Sequence, residues 1–138
     1  MMHARENDSV ILKIESGEDV FQALEKAVST YEIGSATIQW GIGTLHDIVV
    51  GYFNGREYEK TTYKESAEIV SFHGSIASND PRFHIHTSFA VRDHSVHGGH
   101  LFSAVVAPLL EVEIHVLGTV KLGRKRSEGS GLKELYIL

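Results

Sequence analysis

Cysteine is absent from the 138-residue sequence. Disulfide bonds and thiolate metal sites are therefore excluded, and any metal ion has to be bound by histidine, a carboxylate or backbone oxygen. The composition is otherwise that of a globular protein, with 42% hydrophobic and 22% charged residues. A chain of this length can bury a real core, and we expect a single domain over residues 1–138.

Positive charge and long apolar runs are also scarce. Thirteen lysines and arginines stand against 18 acidic residues, and the resulting net charge of -5 repels a phosphate backbone. The one basic cluster, Arg124-Lys125-Arg126, is predicted to lie at a solvated strand end. No apolar run is long enough to span a membrane, and the first residues, MMHARENDS, lack the hydrophobic segment of a signal peptide. We therefore expect a soluble, cytoplasmic protein without membrane contact.

One amphipathic helix is predicted over residues 18–31. Apolar residues recur there at helical spacing: Val20, Phe21, Leu24, Ala27, Val28 and Tyr31. Ser16 is predicted to cap this helix, with Asp19 in the capping-box position three residues later. The preceding segment SVILKIE, Ser9–Glu15, contains β-branched residues and predicts a first strand.

Short strands are predicted along the remainder of the chain. They cover residues 35–42, 45–54, 56–63, 67–76, 82–91, 96–107, 111–117 and 121–126, with Gly, Asn or Asp at most junctions. Asn54-Gly55 is the dipeptide that a two-residue type I′ hairpin prefers. One early helix followed by a run of strands predicts an α+β domain with a mostly antiparallel sheet.

Five of the nine histidines fall between Phe83 and Leu101. Strand alternation places Phe83 and Ile85 on the core face of this segment, and His84 and His86 on the opposite, polar face. The turn residues Arg92-Asp93-His94-Ser95 follow, so the segment predicts a hairpin whose second strand carries His100.

The hairpin register decides where His100 lies. In one register His100 is opposite His86 and Phe102 is opposite His84, whereas a slip of one residue pairs His100 with Thr87 on the other face. Both registers remain open at this stage, and Gly98-Gly99 allow either a bulge or a close backbone approach. In the first register opposed Cα atoms lie roughly 4.5–5.5 Å apart, which lets ring nitrogens converge at about 2.0–2.1 Å from a zinc ion.

Two interpretations of His84, His86 and His100 follow. Neutral imidazole is the commonest metal ligand, and three such ligands leave a fourth tetrahedral position for water, a carboxylate or another ligand. The alternative is a half-exposed polar strand face with hydrogen-bonded histidines. His94 and His97 are predicted to belong to the turn and its exposed flank. The default interpretation of His46, His73 and His115 is structural.

The chain resembles the plants and prokaryotes conserved (PPC) domain over nearly its whole length. His84-Ile85-His86 followed by Gly98-Gly99-His100-Leu101 is the most specific part of the resemblance. Further landmarks are Gly17-Glu18-Asp19, Gly41-Ile42-Gly43, Gly51-Tyr52-Phe53, Ser71-Phe72-His73-Gly74 and the strand Glu111–Val116. The resemblance implies a strongly bent, mostly antiparallel sheet with a helix, a homotrimer, and a divalent metal, expected to be zinc, at His84, His86 and His100.

The sequence departs from the family pattern at three points. No AT-hook such as Arg-Gly-Arg-Pro is present, although plant relatives carry one in nuclear DNA-binding proteins. Lys13 stands where many relatives have arginine, and Ser75 stands where many have asparagine, in Gly74-Ser75-Ile76.

Three functional hypotheses are compatible with these features. The first is a metal-binding homo-oligomer without an assigned activity, with a small ligand at the metal as a further partner. The second is a zinc-dependent enzyme that activates a bound water and needs an acid or base nearby, for which the candidates are Glu68, Glu111, Glu113 and His97. The third is a DNA-associated protein by analogy with the plant relatives, which the net charge opposes.

Overall fold

The computed structural model describes all residues, 1–138, as nine strands and one helix. The strands are β1 (Met2–Glu6), β2 (Ser9–Glu15), β3 (Ala36–Phe53), β4 (Tyr58–Tyr63), β5 (Ala67–Ile76), β6 (Phe83–Ala90), β7 (Val96–Val116), β8 (Leu122–Arg126) and β9 (Lys133–Ile137), and the helix is α1 (Val20–Thr30). The predicted α+β fold is confirmed. β1 and β9 were not predicted, and both are fully exposed strands without a buried face to give an alternating pattern.

Seven strands form one sheet in the order β1-β2-β7-β6-β5-β3-β4, and every pairing in it is antiparallel. β7 also pairs with β3, so β3, β5, β6 and β7 close into a circuit. β8 and β9 form a separate hairpin. The closed circuit places β7 between β6 on one side and β3 on the other.

The two longest strands, β3 and β7, each join two strands that the sequence predicted separately. The predicted break in β3 contains Gly43, where a Cβ would lie 2.1 Å from the carbonyl oxygen of Leu109. Glycine there lets β7 approach β3, and it does not end the strand. The predicted break in β7 contains Pro108, which lies where the β3–β7 register shifts and needs no ladder hydrogen bond.

Helix α1 covers the core with one apolar face. Its buried residues are Val20, Ala23, Leu24, Ala27 and Val28. Ser16 was wrongly predicted as the cap: the N-cap is Asp19, whose carboxylate accepts a hydrogen bond of 2.9 Å from the Gln22 backbone N–H. The helix has 11 residues, and the chain contains no helix whose length and apolarity would carry it across a bilayer.

The β3–β4 connection differs from the predicted two-residue turn. Phe53 pairs with Tyr58, so four residues, 54–57, form the loop. The Asn54 side-chain oxygen accepts hydrogen bonds from the backbone N–H groups of Arg56 and Glu57, at 2.9 and 3.0 Å. This side-chain capping of the loop replaces the type I′ geometry that Asn-Gly favours in isolation.

Candidate metal centre

The β6–β7 hairpin adopts the register that brings the three histidines together. His86 pairs with His100, and the pairing continues to Ala90 and Val96. Along β6 the predicted alternation holds, because Ile85 is buried while His84 and His86 are exposed. On its other side, His100 pairs with Gly51 of β3. His100 therefore lies where three strands meet.

Two glycines permit this close meeting of strands. A Cβ at Gly98 would lie 2.5 Å from the carbonyl oxygen of Thr87 in β6. A Cβ at Gly99, whose φ is +156°, would lie 2.6 Å from the carbonyl oxygen of Gly51 in β3. The glycine pair therefore lets β7 approach its neighbouring strands, and this approach fixes the backbone beside His100.

The three imidazoles face one another at distances that suit a shared ion. One nitrogen from each ring can be chosen so that all three lie within 4.8 Å of one another. The Nε2 atoms of His84 and His86 are 3.3 Å apart. Two nitrogens bound at about 2.0–2.1 Å to a tetrahedral ion are themselves separated by about 3.3–3.4 Å. The His84 and His86 pair thus has the spacing of two zinc ligands.

His100 has a buried nitrogen that lacks a partner. The Nδ1 atom of His100 makes no hydrogen bond, and it is the only buried side-chain polar atom of the chain in this situation. The ring packs against Tyr58 and Phe102, with centroid distances of 4.8 and 4.7 Å. An unsatisfied buried polar atom costs about 1–3 kcal/mol, so its presence inside a histidine cluster is consistent with a site that an ion or ligand completes.

The surroundings keep all three imidazoles neutral at pH 7. Burial, followed by the charges of His84, His86 and Lys60, lowers the pKa of His100 to about 4. Burial also lowers the pKa of His84, with His86 and Arg124 adding to the effect, and the pKa of His86, with His73 adding to it. Neutral imidazole is the form that binds metal, so the lowered pKa values prepare the cluster for coordination.

An open cavity of about 400 Å³ lies beside His84 and His100. Its other lining residues are Tyr58, Pro81, Phe83, Phe102, Arg124, Leu132, Lys133, Glu134 and Leu135. A second, shallower pocket of about 300 Å³ lies on the other side of His84 and is lined also by His73, Gly74, Ser75 and His86. The histidine cluster is therefore reachable from solution, through a mostly apolar cavity on one side.

Arg124 is a residue of this site that sequence reasoning misplaced. It was predicted at a solvated strand end, but only 5% of its surface is exposed, whereas Lys125 and Arg126 are exposed as expected. Asn79 holds its backbone through two hydrogen bonds, of 2.7 and 2.9 Å. The signal that was available is strand alternation, because Leu122 and Arg124 share the inward face of β8.

The remaining candidate residues lie apart from the cluster. The Glu113 carboxylate accepts hydrogen bonds from Ser9 and Trp40, and Glu68 lines a separate pocket with His94. Glu111 is exposed, in the centre of the β2–β7–β3 ladder.

The other histidines also lie outside the cluster. His94 is exposed as predicted, but His97 is half-buried against Tyr63, with Nδ1 3.2 Å from the tyrosine hydroxyl. His46 contacts Asp47, and His115 is exposed. His73 is exposed too, but it lies beside the cluster, because it pairs with His86.

The chain is similar to a known family and to several solved structures. The family model of the Plants and Prokaryotes Conserved (PCC) domain matches residues 1–118. A metal-containing protein from Archaeoglobus fulgidus is 30% identical, with 99% of each chain covered and a TM-score of 0.85. A plant- and prokaryote-conserved (PPC) protein from Pyrococcus horikoshii is 28% identical over 96% of this chain and 94% of that chain, with a TM-score of 0.79.

A candidate DNA-binding protein from Bacteroides thetaiotaomicron shares the fold with a TM-score of 0.89, at 24% identity over 98% of this chain and 96% of that chain. No curated protein matches the chain.

Proposed function

Because the chain belongs to the Plants and Prokaryotes Conserved domain family, we propose that it is a metal-binding homo-oligomer in which His84, His86 and His100 hold one divalent ion. The observation that carries the proposal is the cluster of three imidazole nitrogens within 4.8 Å, one ring of which has a buried nitrogen without a partner. The metal-containing relative from A. fulgidus supports the same assignment. Imidazole ligands suit zinc, as they do copper, iron and nickel.

The protein's own residues define what such a site can do. His84, His86 and His100 would supply three ligands, and an ion held by them would act as a Lewis acid towards a small molecule. Tyr58 and Phe102 pack against His100 and exclude water from one side of its ring. The cavity beside them leaves the other approach open to a small molecule.

The zinc-enzyme alternative loses the acid and base candidates drawn from the sequence. Glu111 and Glu113 lie in the β2–β7–β3 ladder. Glu68 lines a separate pocket, and His97 contacts the Tyr63 hydroxyl. Glu134 is the one carboxylate that lines the cavity, and its Oε1 atom accepts a 2.6 Å hydrogen bond from Ser130. We therefore propose binding, and not hydrolysis, as the function.

The DNA-associated alternative also finds little support in the charges. The net charge is -5, and the one basic cluster is divided, because Arg124 is buried and faces the cavity. A gel shift at low salt, where phosphate contacts are strongest, tests this alternative directly. A complex with DNA of any sequence under those conditions would favour the DNA-associated alternative.

Elemental analysis of untagged protein, purified without any chelator, tests the metal site. We expect about one divalent ion per chain. His100→Ala should lower the affinity by more than about tenfold, since even residues behind a metal ligand contribute 10–100-fold. The variant should keep its fold, because none of the three histidines belongs to the hydrophobic core. Circular dichroism checks the fold.

His115→Ala is the matched control for this experiment. His115 is an exposed histidine outside the cluster, so its removal should leave the metal content unchanged. Wild-type protein without metal would contradict the proposal, as would equal metal loss in the two variants.

A further inference from the structure

Arg124 presents a buried positive charge without a counter-ion. Its Nε donates a 3.2 Å hydrogen bond to the Pro81 carbonyl oxygen, and its Nη2 donates to the carbonyl oxygen and the hydroxyl of Ser75, at 3.4 and 2.8 Å. All three acceptors are neutral, and Arg124 takes part in none of the chain's ion pairs. Burying a charge without a partner of opposite sign is costly. Arg124 therefore favours the binding of an anionic ligand.

The position of Arg124 indicates where that anion binds. Arg124 lines the same cavity as His84 and His100, and its Nη2 atom is held by Ser75, which pairs with His84. The third guanidinium nitrogen, Nη1, forms no hydrogen bond with the chain, so one donor group stays free for a ligand. A single small anion in the cavity can thus meet Arg124 and approach the histidine cluster.

The other charges of the cavity do not neutralise Arg124. Lys133 adds a second positive charge, and its Nζ donates a 3.3 Å hydrogen bond to the Asp80 carbonyl oxygen. Glu134 is exposed and engaged by Ser130. Lys60 lies just outside, with Nζ 4.0 Å from the centroid of the Phe102 ring. In a chain of net charge -5, this cavity is a local concentration of positive charge.

We propose that the cavity binds a small organic monocarboxylate with an apolar body. Its carboxylate binds Arg124 next to His84 and His100, and its body lies against Tyr58, Phe83 and Phe102. The proposal rests on the metal site proposed above. A volume of about 400 Å³ lies within the range of small-molecule pockets. One free guanidinium nitrogen and apolar walls match a carboxylate better than a phosphate, whose three oxygens need more donors.

The C-terminal hairpin supplies much of this binding site. Arg124, Leu132 and Leu135 lie in the segment 119–138, beyond the residues that match the family model. Ser75 of β5 accepts the hydrogen bond from Arg124 that orients the arginine side chain. The histidines belong to the family pattern, whereas the anion contact depends on the hairpin.

Benzoate is a suitable probe, with benzamide as its neutral analogue. We expect benzoate to bind zinc-loaded protein at least tenfold more tightly than benzamide, measured by titration calorimetry. Arg124→Gln should weaken benzoate binding at least tenfold with zinc content unchanged. Lys125→Gln is the matched control, because it removes the same charge from the exposed neighbour and should leave benzoate affinity unaltered.

The outcomes separate this inference from the metal proposal. Equal binding of benzoate and benzamide to the wild type would overturn the inference. This comparison needs no variant, so it holds even if Arg124→Gln does not fold. Equal benzoate loss in the Arg124 and Lys125 variants would also overturn it. If the wild type takes up no zinc, the metal proposal fails. The same benzoate titration on metal-free protein then tests the anion site by itself. Benzoate binding that Arg124→Gln weakens supports the site, and benzoate binding that the variant leaves unchanged rejects it.

Discussion

The surroundings of His84, His86 and His100 lower the pKa of each imidazole. Their sequence pattern identifies His84 and His86 as neighbours on a polar strand face. Burial then lowers the pKa of each ring, most strongly that of His100, which packs against Tyr58 and Phe102. Each ring thus stays neutral, and metal binding at pH 7 does not need to displace protons.

The lowered pKa of His100 predicts an acid-dependent loss of stability. Its pKa is about 4 in the folded protein against an ordinary value of 6.5, so the unfolded chain binds the proton first as pH falls. The contribution of His100 to the free energy of unfolding is therefore complete above pH 6.5 and declines between about 6.5 and 4. In metal-free protein, urea unfolding should show wild type losing stability relative to His100→Gln across this interval.

A difference between wild type and His100→Gln that stays constant from pH 7 to pH 4 would contradict this prediction. A difference in the free energy of unfolding that does not vary with pH reports only packing, because the substitution changes the packing contacts equally at every pH.

At the scale of the element, the path of β7 assembles the site. This strand pairs with β6 over residues 96–100 and with β3 over residues 100–116, so it changes neighbour at His100. Gly98 and Gly99 permit the change because they carry no side chain towards the adjacent backbones. The sequence indicated a special backbone here, but it could not show which strands approach, because that depends on the long-range β3–β7 pairing.

Gly98→Ala tests this role of β7. The new methyl group would lie 2.5 Å from the Thr87 carbonyl oxygen and 3.0 Å from the Ser88 Cα atom, so β6 must move away. We expect the free energy of unfolding to fall by about 1–3 kcal/mol, as for other overpacked sites. Metal affinity should fall as well, because β6 carries His84 and His86.

Gly118→Ala is the control, because nothing lies within 4 Å of the added methyl group. Its effect on stability should stay within about 0.5 kcal/mol, as measured by urea unfolding. Full stability and metal affinity in the Gly98 variant would show that the strands are not in contact at this point.

At the scale of the whole molecule, one outer face of the sheet carries apolar side chains. Ile11 and Trp40 flank Glu113 on neighbouring strands, and Ile42 lies two residues beyond Trp40. Their exposed fractions are 43%, 39% and 56%. These three residues form an apolar stripe that Glu113 interrupts. Exposed apolar side chains grouped on a sheet face are typical of an interaction surface, so this stripe is where we place the contact of the proposed homo-oligomer.

Light scattering tests this surface. We expect the wild type at micromolar concentration to have the mass of a trimer, the state that the family resemblance implies. Ile42→Glu should shift the mass towards that of the monomer, because it places a charge in the apolar stripe. Ile137→Glu, at an isoleucine that is 67% exposed and lies outside the stripe, should not. A monomeric wild type would contradict the oligomer.

The sequence by itself determined the helix, most of the strands, the α+β class, the family and the face of β6 that carries His84 and His86. These features follow from periodicity and from local motifs, which depend on residues close together in the chain. Only the tertiary structure decided the register that pairs His86 with His100, and the contacts that surround Arg124 beside them. Both depend on contacts between distant segments: β7 is held between β6 and β3, and the C-terminal hairpin folds back onto Ser75 and Pro81. No local pattern encodes which distant backbone groups will surround a charged side chain.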